Sequence, residues 1–67
     1  MLDDALREEL RSYMARTGET IYGIGKKLGI SDALIYSWYA GRTETMQLKN
    51  AGKICEHIGV WIFPVED

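Results

Sequence analysis

Cysteine and proline occur once each, as Cys55 and Pro64. A lone cysteine makes no internal disulfide. With a single histidine, His57, there is also no Cys/His cluster of zinc-ligand spacing. A reducing, intracellular setting is therefore expected. Proline is confined to the last four residues, so everything before it is free to be helical. No apolar run approaches the roughly 18 residues that span a bilayer. The acidic opening Met1-Leu2-Asp3-Asp4 lacks the basic-then-apolar order of a secretory signal. These absences lead to the expectation of a cytoplasmic chain, complete as given and not membrane-bound. Also missing are a phosphate-cradling glycine loop after a strand, a nucleophile elbow and a pair of carboxylates at catalytic spacing. No catalytic residue, cofactor, metal or small-molecule substrate is expected. The 67 residues fit one domain, residues 1–67, with one core.

The charge that is present is unevenly placed. The net charge is −2, which argues against nucleic acid if taken as a whole. Residues 20–53, however, hold Lys26, Lys27, Arg42, Lys49 and Lys53 against Asp32 and Glu44, a local charge of +3. The flanking stretches 1–19 and 54–67 are acidic, at −2 and −3. It is the local patch facing phosphate, rather than the total, that governs binding to DNA.

Apolar spacing predicts four helices. The first runs from about Asp3 to Thr17, with Leu6, Leu10, Tyr13 and Met14 on one face and Leu2 a turn earlier. Asp3 or Asp4 is its expected N-cap, and Arg7, Glu8 and Arg11 form a solvated face. The second begins after Thr20, an N-cap residue type, carries Ile21, Ile24 and Leu28, and closes at Gly29. It contains Gly23 and Gly25, each costing about 1 kcal/mol against alanine inside a helix, so it depends on tertiary packing. A glycine at position 25 makes sense where another helix crosses. The third begins after Ser31, carries Leu34, Ile35 and Trp38, and ends at Gly41, with Asp32 favourably placed for the helix dipole. The fourth runs from Gln47 to Ile58 with Leu48, Ala51, Cys55 and Ile58 on one face, Ile54 beside it, and Gly59 as its stop. The expected core is Leu6, Leu10, Ile24, Leu28, Ile35, Trp38, Leu48, Ala51, Cys55 and Ile58. His57 reads as helix surface, with no carboxylate at a local spacing.

Only Gly29-Ile30-Ser31 separates the second and third helices. A three-residue turn with glycine between two short helices is the layout of a helix-turn-helix. Thr20, Ile24, Leu28, Gly29, Ile30, Ser31, Ile35, Trp38, Gly41 and Arg42 fall in one frame, and in that frame the chain resembles the lambda-repressor/Cro-like (XRE-type) family of phage and bacterial regulators. The resemblance covers about residues 6–60, the fourth helix included. It departs from the family pattern at Gly25, where alanine is usual, at Ile21, where many members place glutamine, and at Glu19, where an apolar residue is common.

The resemblance implies an all-α bundle of four helices, or five if the tail adds one, with the third helix in the DNA major groove. By it, Asp32, Ala33, Tyr36 and Ser37 face base edges, with Leu34 partly on the same surface. Asp32 suits cytosine N4, Ala33 a thymine methyl, Ser37 either strand and Tyr36 a phosphate or base edge. Thr20 and Ile21, at the second helix's start, form a phosphate seat. Lys26 or Lys27, Arg42 and Lys49 supply charge to the backbone. The implied function is a repressor-like transcriptional regulator that binds double-stranded DNA. The alternative is a protein-interaction or antitoxin-type module that keeps the fold without strong DNA binding, a reading favoured by the acidic total, Asp32 and Ile21. The apolar tail residues Trp61, Ile62 and Phe63 are expected to form a homodimer interface, or else to complete the monomer core. A two-fold dimer sets two recognition helices about 34 Å apart.

Overall fold

The computed structural model describes residues 2–60. Within them the chain forms four helices and no strand: α1 (Leu2–Thr17), α2 (Ile21–Leu28), α3 (Asp32–Tyr39) and α4 (Leu48–Ile58). Trp61, Ile62 and Phe63, the expected dimer contact, lie outside the described residues, as does any fifth helix.

The helix boundaries follow local chemistry. Thr20 adopts an extended backbone and its Oγ1 accepts from the Gly23 N–H at 3.1 Å, which caps α2. Ser31 Oγ accepts from the Leu34 N–H at 3.4 Å and caps α3. Between them Gly29 has φ +72°, a left-handed conformation that glycine adopts without a Cβ penalty. The Ile30 N–H returns to the Gly25 carbonyl at 3.0 Å, and the Ile30 side chain turns into the core. The chain therefore leaves α2 and enters α3 within three residues.

That reversal needs Gly25. A Cβ there would lie 2.7 Å from the Ile30 carbonyl oxygen and 3.4 Å from the Asp32 backbone. The family's usual alanine would not fit this turn without a backbone shift.

α2 packs against α3, and α1 against α4. One core joins them: Leu6, Leu10, Ile24, Ile30, Ile35, Trp38, Met46, Ala51, Ile54, Cys55 and Ile58. The expected core departs from this at two positions. Leu28 is only half-buried at the core's edge. Leu48 is 58% exposed. The apolar stripe of α4 does extend back to Leu48, but Met46, from the preceding segment, fills the core at that end.

Two further expectations concern α1. Asp3 lies within the helix, not at its cap, and is only 8% exposed. Its Oδ1 accepts from the Trp38 indole N–H at 2.8 Å and from the Met46 backbone N–H at 3.1 Å. Arg7, one turn later, is not on a solvated face; its side chain is mostly covered. Local spacing points to a cap role for Asp3 and to solvent for Arg7 because their partners come from distant segments. Arg11, by contrast, does pair with Glu8 in the open, which holds the Glu8 carboxyl below its usual pKa. No described helix is long and apolar enough to cross a membrane.

Candidate nucleic-acid interface

α3 is two-sided. Ile35 and Trp38 point into the core, while Asp32, Ala33, Leu34 and Tyr36 are exposed. Leu34 is 44% and Tyr36 52% exposed. Ser37 is half-buried, and its carbonyl is engaged with the residues that follow the helix. Asp32, Ala33 and Tyr36 thus share the outer face of one helix, with Ser37 at its edge.

That helix ends in a closed glycine motif. Gly41 has φ +85°. The Gly41 N–H bonds to the Trp38 carbonyl at 3.0 Å and the Arg42 N–H to the Ser37 carbonyl at 2.9 Å. Two of the carbonyls that the end of the helix leaves without a helical partner are thereby satisfied. The motif also places Arg42 beside α3: its guanidinium carbon lies 6.0 Å from the Tyr36 ring centre.

α2 contributes its N-terminal end. Thr20 is exposed, and the first turn carries no acid to offset the positive end of the helix dipole. Ile21 packs its side chain against the core, which leaves it only a backbone N–H to offer a phosphate. The lysines differ. Lys26 is exposed, with Nζ 5.4 Å from the ring centre of Tyr22. Lys27 Nζ is 3.6 Å from Glu19 Oε2, so its charge is partly committed within the protein. Lys49 is exposed in the first turn of α4.

Glu19 itself is tied to a network that local spacing did not reveal. Tyr13 Oη donates to Glu19 Oε2 at 2.7 Å, and His57 Nε2 lies 2.9 Å from Glu19 Oε1. The Tyr13 and His57 rings meet edge to face, 5.5 Å apart. His57 is therefore half-buried and paired with a carboxylate, not a lone surface residue. Hydrogen bonds from His57 and then Tyr13, helped by the Lys27 charge, hold the Glu19 carboxyl below its ordinary pKa. The same bond to Glu19 raises the Tyr13 phenol. An acid one residue before Thr20 would repel phosphate if it stood free; here its oxygens face α1 and α4.

A groove lined by Leu34, Trp38, Thr43, Thr45, Met46 and Gln47 opens beside α3. No three described His, Cys, Asp or Glu residues form a group able to hold a metal. Compared with known proteins, the chain matches no family model, no curated protein and no solved structure.

Proposed function

We propose that this chain binds double-stranded DNA sequence-specifically, with α2, the turn at residues 29–31 and α3 acting as a helix-turn-helix and α3 entering the major groove. The observation that carries the reading is the outer face of α3. Four residues of the first turns, Asp32, Ala33 and Leu34 in succession and then Tyr36 beyond the buried Ile35, stand exposed on a helix braced from behind by Ile35 and Trp38. A helix fits the major groove, and its first residues reach base edges. In this reading Asp32, Ala33, Tyr36 and Ser37 read bases. Thr20 and the Ile21 N–H, with Lys26, Arg42 and Lys49, hold the backbone. A bacterial or phage repressor that works as a dimer, in the cytoplasm and without catalysis, is the corresponding biological role.

Selection of bound sites from a random duplex pool tests this. A single enriched motif, with two half-sites one helical turn apart if the chain is dimeric, supports it. Recovery of an unenriched pool contradicts sequence-specific reading.

One observation favours a second reading, a protein-interaction or antitoxin-type module. Leu34 lines the groove beside α3, and Leu48 stands 58% exposed on α4. Such a module would bind duplex DNA no more tightly than its central charge dictates, and its affinity would not depend on sequence.

A further inference from the structure

We infer that Arg7 is a positioning residue for DNA binding: it fixes the segment after α3 so that Arg42 is presented in one place, without itself touching DNA. The inference rests on the DNA-binding reading and adds to it a residue on α1, outside the helix-turn-helix.

The guanidinium of Arg7 joins four groups. Nε donates to the Trp38 carbonyl at 2.7 Å. Nη2 donates to the Thr43 and Glu44 carbonyls, both at 3.0 Å, and Nη1 to Asp4 Oδ1 at 2.9 Å. Its central carbon also lies 4.9 Å from the Trp38 ring centre. The guanidinium thus ties the last turn of α3 to the two residues that follow Arg42. One turn earlier on α1, Asp3 adds the Met46 N–H and the Trp38 indole to the same clamp. Thr43 through Gln47 form no helix of their own, so these side-chain bonds substitute for a ladder.

Arg42 is held from both flanks. Its own N–H and that of Thr43 bond to the Ser37 carbonyl at 2.9 and 3.2 Å. The next two carbonyls are the ones Arg7 takes. The Arg42 side chain remains exposed beside Tyr36. A charge preorganised against the recognition helix loses less freedom on binding than one on a loose segment. Arg7, with its donors already committed and its side chain only 18% exposed, acts through that segment.

Arg7→Lys separates the role from charge. Lysine keeps the cation but has no planar fork to bridge Trp38, Thr43 and Glu44 together. In a folded Arg7→Lys chain, affinity for random duplex DNA at fixed salt should fall about two- to tenfold, because Arg42 must be ordered on binding, while Arg42→Ala also flattens the salt slope by about one unit. The double variant Arg7→Lys/Arg42→Ala should show no further loss. A folded Arg7→Lys chain with an unchanged affinity overturns the inference. If Arg7→Lys does not fold, backbone order parameters of the intact chain decide: values near 0.85 at Thr43 and Glu44, as in the helices, support the clamp, and values below about 0.6 overturn it. Failure of the intact chain to bind DNA removes the reading beneath the inference, and is distinct from DNA binding that Arg7→Lys leaves unaltered.

Discussion

Trp38 donates its indole N–H to the buried carboxylate of Asp3, 2.8 Å away and 35 positions earlier in the chain. This one bond joins the first turn of α1 to the base of α3. It also explains how a tryptophan, which needs a partner for its N–H, sits in the centre of a small core.

Asp3→Ala would leave two buried donors, the indole N–H and the Met46 N–H, without their acceptor. An orphaned buried donor costs about 1–3 kcal/mol, so a loss of roughly 2–6 kcal/mol is expected in urea unfolding. Asp3→Asn keeps an acceptor oxygen and should lose less. Trp38→Ala should cost about 3–5 kcal/mol, close to the whole stability of so small a domain. Equal stability of Asp3→Ala and the parent chain would show that the bond does not form in solution.

Two glycines should respond to alanine with opposite signs. Gly52, inside α4, has no atom within 4 Å of an added Cβ, so Gly52→Ala should stabilise by about 0.5–1 kcal/mol through helix propensity. Gly25→Ala gains the same propensity but drives a Cβ into the Ile30 carbonyl, and overpacking of this kind costs about 1–3 kcal/mol. Thermal melts should move up for the first and down for the second. A rise for both would mean that the turn after α2 relaxes freely.

The Glu19 network sets a pH dependence at both ends of the scale. Glu19 has a lowered pKa in the folded chain, so its contribution is complete above its unfolded value of about 4.3 and is lost as pH falls through the folded one. Tyr13 has a raised pKa, so its contribution is complete below about 10 and is lost as pH rises through the folded value. Between those limits stability should be flat with respect to these two groups. Glu19→Gln should shrink the acid-side loss relative to the parent. An identical acid limb in both proteins would show that Glu19 is not paired in solution.

Tyr36 and Arg42 should act as a coupled pair in DNA binding. Arg42→Ala should weaken binding to all sequences, while Tyr36→Ala or Ser37→Ala should change which sequence is preferred. A ring 6.0 Å from a guanidinium is worth about 0.5–1 kcal/mol at an exposed site. The double variant Tyr36→Ala/Arg42→Ala should therefore lose less than the two single losses added, by about that amount. Strict additivity would show that the ring does not hold the arginine.

Much of the fold was legible from spacing alone. Four helices, the caps at Thr20 and Ser31, and the stripes ending in Ile35, Trp38, Ala51 and Ile58 all follow from local rules. What escaped has one physical character: it depends on partners remote in sequence. Asp3 looked like a helix cap and Arg7 like a solvated charge because Trp38, Thr43 and Met46 lie 31 or more positions away. His57 looked solitary because Glu19 is 38 positions distant. Leu48 was assigned to the core because the α4 stripe runs through it, whereas an irregular segment delivers Met46 there instead. The candidate site fared differently: Asp32, Ala33 and Tyr36 share the exposed face expected of them, while the ring beside Arg42 and the clamp behind it had no sequence signature.

The most direct test of the account is the affinity of the intact chain for labelled random duplex DNA as salt is raised from about 50 to 200 mM. Three cations assigned to phosphate, Lys26, Arg42 and Lys49, predict a log–log slope of about −3 per chain from counterion release. Affinity should fall steadily along that line, and Arg42→Ala should flatten it by about one unit. Absence of binding at the lowest salt, or binding that salt does not alter, would contradict the proposal that this chain reads DNA.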